Sequence, residues 1–217
     1  MHLSFGTNKP MNIFKGWENH TERISANWKR LVKSSDTVIL PGDFSWGLKL
    51  EETKKDFEFL ENLPGKKILL KGNHDLWWST SKKLREFLDD NKFDSIDFIF
   101  NNCAVCEGYA VAGTRGWFFD DKPDPKILQR EAGRLELSLS AAEKTGLPIL
   151  TFLHYPCVWG DEVCEEIFGV IKRHGINQVY HGHIHGAGAC KVKTEYGGVK
   201  FRLLSCDCVD FTPVFIA

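Results

Sequence analysis

Apolar positions along this chain follow two alternating periods. Short aliphatic runs occur at TVIL (37–40), KILL (67–70), PILTFL (148–153) and INQVY (176–180). Between them, apolar residues recur three and four apart, which predicts helices. One covers 19–33, with Ile24, Trp28, Leu31 and Val32 on one face. A second covers 49–62 and stops at Pro64-Gly65, and a third covers 79–89 behind a Ser79 cap. A long helix spans 124–145, where Leu128, Ala132, Leu135, Leu139 and Ala142 share a face and Gly146 with Pro148 closes the end. Another is expected over 161–174, ended by Gly175. The middle of the chain breaks the alternation. IDFIF (96–100), CAVC (103–106) and YAVAG (109–113) predict strands joined by tight turns, hence an antiparallel segment. Gly197-Gly198 predicts a hairpin leading into VKFRLLS. Helices alternating with strands predict an α/β fold, and the hairpins predict mixed sheets. No repeat, low-complexity stretch or linker intervenes, so the expectation is a single domain over 1–217.

The places where the strands stop carry the chemistry. TVIL runs into Gly42-Asp43, KILL into Gly72-Asn73-His74-Asp75, PILTFL into His154, and INQVY into His181-Gly182-His183-Ile184-His185. Four strands thus deliver Asp, Asn and His at their carboxyl ends, the edge where open α/β sheets bind ligands. Asp43 offers oxygens able to bridge two cations, Asn73 a neutral carbonyl oxygen, and His154, His183 and His185 imidazole nitrogens. A mixed N/O set without thiolate suits manganese, iron or zinc more than calcium. Gly42, Gly72 and Gly182 let the backbone turn sharply beside such a site.

Composition narrows the partners. The formal net charge is -1 with both signs well mixed, which gives no electrostatic grip on nucleic acid or an anionic membrane. No apolar run approaches the roughly 18 residues of a membrane span. The N-terminal MHLSFGTNKP lacks the order of a secretory signal, and seven cysteines, an odd number, make no secreted framework, so the expected location is cytoplasmic.

Taken together, GD at 42–43, GNHD at 72–75, a strand-end His154 and GHIH at 182–185 resemble the calcineurin-like metallophosphoesterase superfamily. GDFSW (42–46) and GTRGW (113–117) further resemble a bacterial subgroup of predicted phosphohydrolases. The resemblance implies two mixed β-sheets packed as a sandwich with helices outside. It implies that Asp43 bridges two divalent metal ions, that Asn73, His154 and His183 complete one site, and that His2 and His185 serve the other. It also implies that His74 lies near the leaving group as general acid or electrostatic stabiliser, with Asp75 orienting its imidazole. A hydroxide bridging the two cations would then attack a phosphomonoester or phosphodiester in line with the departing oxygen. The substrate expected is a small phosphorylated molecule.

The family's first motif, Asp-x-His at the end of its first strand, is incomplete here. His2 matches its histidine, Met1 takes the middle position, and the aspartate and its strand would precede the first residue. The expectation is a weakened second metal site and reduced turnover. That feature favours the competing class, a non-catalytic scaffold or binding module that retains the fold. The intact GNHD favours the enzyme. A nuclease of the same superfamily has no support, since composition shows no basic groove.

Arg115 sits in a Gly-bracketed loop, and a guanidinium suits phosphate; its plain alternative is an exposed loop arginine. His181 reads as a supporting or surface residue, and His20 and His174 as solvated helix residues. Cys103 and Cys106, and Cys206 and Cys208, are expected to pack rather than bind zinc; Cys103 and Cys106, three apart on a strand, face opposite ways. Trp77 and Trp78 are expected either to line a substrate pocket or to pack in the core. Loops 114–126 and 155–163 are expected to shape specificity.

Overall fold

The computed structural model describes residues 1–117 and 124–217. These fall into two compact units, Met1–Phe98 with Cys206–Ala217, and Ile99–Ser205. The family-type α/β architecture expected above is present. A six-stranded mixed sheet lies in one unit, a three-stranded parallel sheet in the other, and helices flank both.

The first unit contains α1 (His20–Leu31), β1 (Thr37–Leu40), α2 (Lys54–Glu61), β2 (Lys66–Leu69), α3 (Ser81–Asn91) and β3 (Ile96–Phe98). The strands run parallel in the order β1-β2-β3, so β3 belongs here and not to an antiparallel set with its sequence neighbours. A turn-rich sequence between strands cannot say which edge the next strand reaches. Parallel pairing of β1 and β2 needs a crossover, and α2 supplies it. On α1, Ile24 and Trp28 are buried as the spacing predicts, and the Trp28 indole donates to Pro64 O at 2.8 Å. Leu31 remains exposed. The cap of α3 is Thr80, not Ser79; its hydroxyl oxygen accepts from Lys83 N. The unit's centre is aromatic. Phe57 meets Phe44, Trp77, Phe87 and Phe93 with ring centroids 4.8–5.7 Å apart, which places Trp77 in the core. His20 is also buried, between Trp17 and Phe211, because the C-terminal segment covers the first turn of α1.

The second unit contains β4 (Ala104–Cys106), β5 (Tyr109–Thr114), α4 (Pro125–Glu143), β6 (Ile149–Leu153), a small hairpin of β7 (Val158–Trp159) and β8 (Glu162–Val163), then α5 (Glu165–Arg173), β9 (Gln178–His181), β10 (Glu195–Tyr196) and β11 (Val199–Leu203). Strand order is β10-β11-β9-β6-β5-β4, with antiparallel pairs only at the two edges. The Gly197-Gly198 hairpin joins β10 to β11 as expected. Helix α5 starts later than predicted because Gly160-Asp161 closes a hairpin first, with Gly160 at φ +58°. Leu128, Leu135, Leu139 and Ala142 of α4 and Ile167, Val170 and Ile171 of α5 bury against the sheet's Ala112, Leu153 and Val179. His174 is not a free solvated residue. It caps α5, and its ring nitrogens bond Glu136 and Glu143 of α4 at 2.8 and 2.7 Å. No helix among the described residues is long and apolar enough to cross a membrane. The 114–126 segment expected to shape specificity lies partly outside the described residues.

Candidate metal centre

Because β1 and β2 are parallel neighbours, the loops that follow them leave the same sheet edge in the first unit. The two loops touch closely. A Cβ on Gly72 would lie 2.1 Å from Asp43 Oδ1 and 2.2 Å from Asp43 N, so only glycine fits. Asp75, fully buried, ties the loops together. Its Oδ2 accepts from Asp43 N (2.8 Å) and Gly72 N (2.7 Å). Its Oδ1 accepts from Phe44 N (2.9 Å), Ser45 N (3.2 Å) and the Trp77 indole (3.1 Å). Burial, and then the charge of Asp43, push the Asp75 carboxyl up to about 6, against the pull of the Gly72 and Ser45 N–H groups.

Asp43, held this way, accepts His74 N on Oδ1 at 2.8 Å, and its Oδ2 lies 3.7 Å from His2 Nε2. Two donors at about 2.0–2.2 Å on a near-tetrahedral cation sit roughly 3.4 Å apart, so this pair fits a shared divalent ion. The N-terminus supports the same loop. The Met1 ammonium and His2 N both donate to Asp43 O at 2.7 and 2.8 Å, and Leu3 bridges Ser45 in parallel. His2 is buried among aromatic rings, with Trp17 at 5.5 Å, Trp46 at 5.3 Å and His74 at 5.7 Å. Asn73 is half-buried between Gly72 and His74.

In the second unit β6 and β9 are parallel neighbours, which brings their following residues to one edge. Gly182 N donates to His154 O at 3.1 Å, and the rings of His154 and His183 stand 5.1 Å apart at 70°. Tyr155 packs on His183 with centroids 4.3 Å apart. His185 is half-buried at the start of a 3₁₀ turn over Gly186–Lys191. His181 is buried, which excludes a surface role; burial pushes its imidazole down to about 4, so it is neutral. An imidazole nitrogen is a donor that a borderline divalent cation takes.

Three of these candidate ligands share a backbone peculiarity. His2 (φ 56°), Asp43 (φ 53°) and His183 (φ 69°) all adopt the left-handed region. Asp and His tolerate it better than most residues, yet each instance costs on the order of 1 kcal/mol. Such strain collects at functional sites, where surrounding structure holds a side chain in a required direction.

Arg115 follows β5, and its backbone oxygen accepts from Tyr155 N at 2.9 Å. Its side chain is not an exposed loop arginine: only 17% of it is accessible, and Nη2 pairs with Glu131 at 3.0 Å. Glu131, wholly buried on α4, also takes Arg134 at 2.8 Å and lies 3.9 Å from Arg130.

With this geometry in place, comparison with known proteins is decisive at the level of family: residues 2–187 match the calcineurin-like phosphoesterases. The chain belongs to the calcineurin-like phosphoesterase family. Metal-dependent phosphoester hydrolysis is the general chemistry of that family. The chain resembles the TT1561 protein of Thermus thermophilus in structure, with a TM-score of 0.58 at 17% identity, covering 87% of this chain and 84% of that one. It also resembles a protein of unknown function, AQ665 of Aquifex aeolicus, with a TM-score of 0.48 at 19% identity, covering 93% and 82%. At these identities the likeness concerns the fold alone. No curated protein matches the chain by sequence.

Three residues packed beside candidate site residues, one in the first unit and two in the second, escape sequence reasoning. Glu131 looks like any helix glutamate until Arg115 reaches it. Tyr155 and Trp46 are visible only as neighbours of motif residues, although an aromatic beside a ligand histidine is a usable signal.

Proposed function

We propose that the chain holds two divalent cations and hydrolyses a small phosphomonoester or phosphodiester. The observation that carries this reading is the buried Asp43–His2 pair, a carboxylate oxygen and an imidazole nitrogen 3.7 Å apart on strained backbone. Under this reading Asp43, Asn73, His154 and His183 would hold one cation, and Asp43, His2 and His185 would hold the other. When bound, the cations supply an activated water and neutralise charge on the phosphoryl oxygens. His74 donates a proton to the leaving oxygen. Arg115 contacts a phosphoryl oxygen while Glu131 restrains its guanidinium. Manganese, iron and zinc suit the donor set.

The purified chain is expected to hydrolyse p-nitrophenyl phosphate or bis-p-nitrophenyl phosphate with added manganese, to lose activity in EDTA, and to regain it on metal return. Two bound metals per chain by elemental analysis with no turnover on either ester would favour the scaffold reading. In the same assay Arg115→Ala should lower kcat/KM about 10- to 100-fold with metal content unchanged. Unaltered kinetics would remove Arg115 from the site.

A further inference from the structure

We infer that Trp46 is the positioning residue for His74. The role assigned to His74 rests on the phosphoesterase reading; the geometry that holds its imidazole does not. A general acid must present its nitrogen within about 3 Å of the leaving oxygen in a fixed direction. The neighbouring acid, Asp75, does not orient this ring. Its two oxygens take five N–H donors, four from backbone and one from Trp77, and none of these is the imidazole of His74. Through Asp43 Oδ1 the loop fixes the His74 backbone, which leaves the side chain's torsions to be set by packing.

The packing partner is Trp46. Its ring lies 4.3 Å from the His74 imidazole at 48°, closer than the His2 ring at 5.7 Å. The indole is itself braced. Its Nε1 donates to Met11 Sδ at 3.2 Å, the ammonium of Lys9 sits 4.8 Å from its centroid, and the His2 ring packs on it at 5.3 Å. Its backbone N–H bonds Leu3 O at 2.9 Å. A rigid plane held from several directions restricts a neighbouring imidazole more than a flexible aliphatic chain can.

The test compares Trp46→Leu and Trp46→Phe in the full chain on two manganese-dependent reactions. p-Nitrophenolate departs without a proton, whereas an alkoxide needs one. Trp46→Leu should lower kcat about 30-fold on an alkyl phosphate and less than about 3-fold on p-nitrophenyl phosphate, and Trp46→Phe should restore most of the loss. A second readout is independent of turnover: the carbon-bound ring protons of His74 by NMR. Their ring-current shift should collapse toward the solvent-exposed value in Trp46→Leu and be largely retained in Trp46→Phe. Equal losses on both esters, or His74 ring shifts unchanged in Trp46→Leu, would overturn the assignment. If the wild-type chain hydrolyses neither ester, the phosphoesterase reading fails and the NMR comparison alone judges Trp46.

Discussion

Replacing Asp75 by asparagine should lower the free energy of unfolding by about 3–5 kcal/mol. The carboxylate presents only acceptors to five inward-pointing N–H groups. An asparagine of the same shape puts an NH₂ where one oxygen was. In one orientation it opposes the N–H groups of Asp43 and Gly72; in the other it opposes those of Phe44, Ser45 and the Trp77 indole. Either way two or three buried donors lose their acceptor, at roughly 1–3 kcal/mol each. Relief of the repulsion between Asp75 and Asp43 offsets a small part of this. With a urea dependence of about 2 kcal/mol per M, the midpoint should fall by roughly 2 M. Tryptophan fluorescence can follow it, since Trp77 and Trp78 are buried nearby. A midpoint within about 0.3 M of wild type would show that Asp75 does not fix the two loops.

That prediction also marks what sequence reading reaches and what it misses. The α/β alternation was legible because one face of α4 and the carboxyl ends of TVIL and PILTFL bury apolar residues, and burial is what period measures. The strand-end positions of Asp43, Asn73, His154 and His183 were legible for a related reason. Parallel neighbours such as β1 and β2, or β6 and β9, deliver their next residues to one edge whatever the intervening helix does. Period says nothing about partners across long separations. Asp75 stands next to His74 in sequence, yet its oxygens serve a loop some thirty residues earlier, the largest such separation being 32. Glu131 lies three residues after Leu128 and four before Leu135 on the buried face of α4, so the period marks its position but not the partners, Arg115 and Arg134, that meet its charge there. His20 follows the pattern of a solvated helix start, and the segment around Phe211 covers it. Each miss concerns a polar or aromatic residue whose setting is made by a distant part of the chain.

Asp43→Asn separates function from stability with opposite signs. Asparagine accepts left-handed backbone as readily as aspartate, so the φ of 53° adds no new strain. Its side-chain oxygen can still accept His74 N, and its own N–H still donates to Asp75. What disappears is one negative charge beside a buried carboxylate whose protonation already reflects that charge. The metal-free variant should therefore be as stable as wild type or gain about 0.5–1 kcal/mol. On the reading that Asp43 bridges two cations, the same change removes the one anionic oxygen donor of the proposed ligand set. Manganese-dependent kcat/KM should fall at least about 1000-fold, equivalent to roughly 4 kcal/mol of transition-state stabilisation, and bound metal should drop below two per chain. Parallel urea melts, elemental analysis and ester hydrolysis on one preparation check all three. A variant that loses activity because it unfolds fails the stability arm, and one that keeps both metals and its turnover takes Asp43 out of the bridging position.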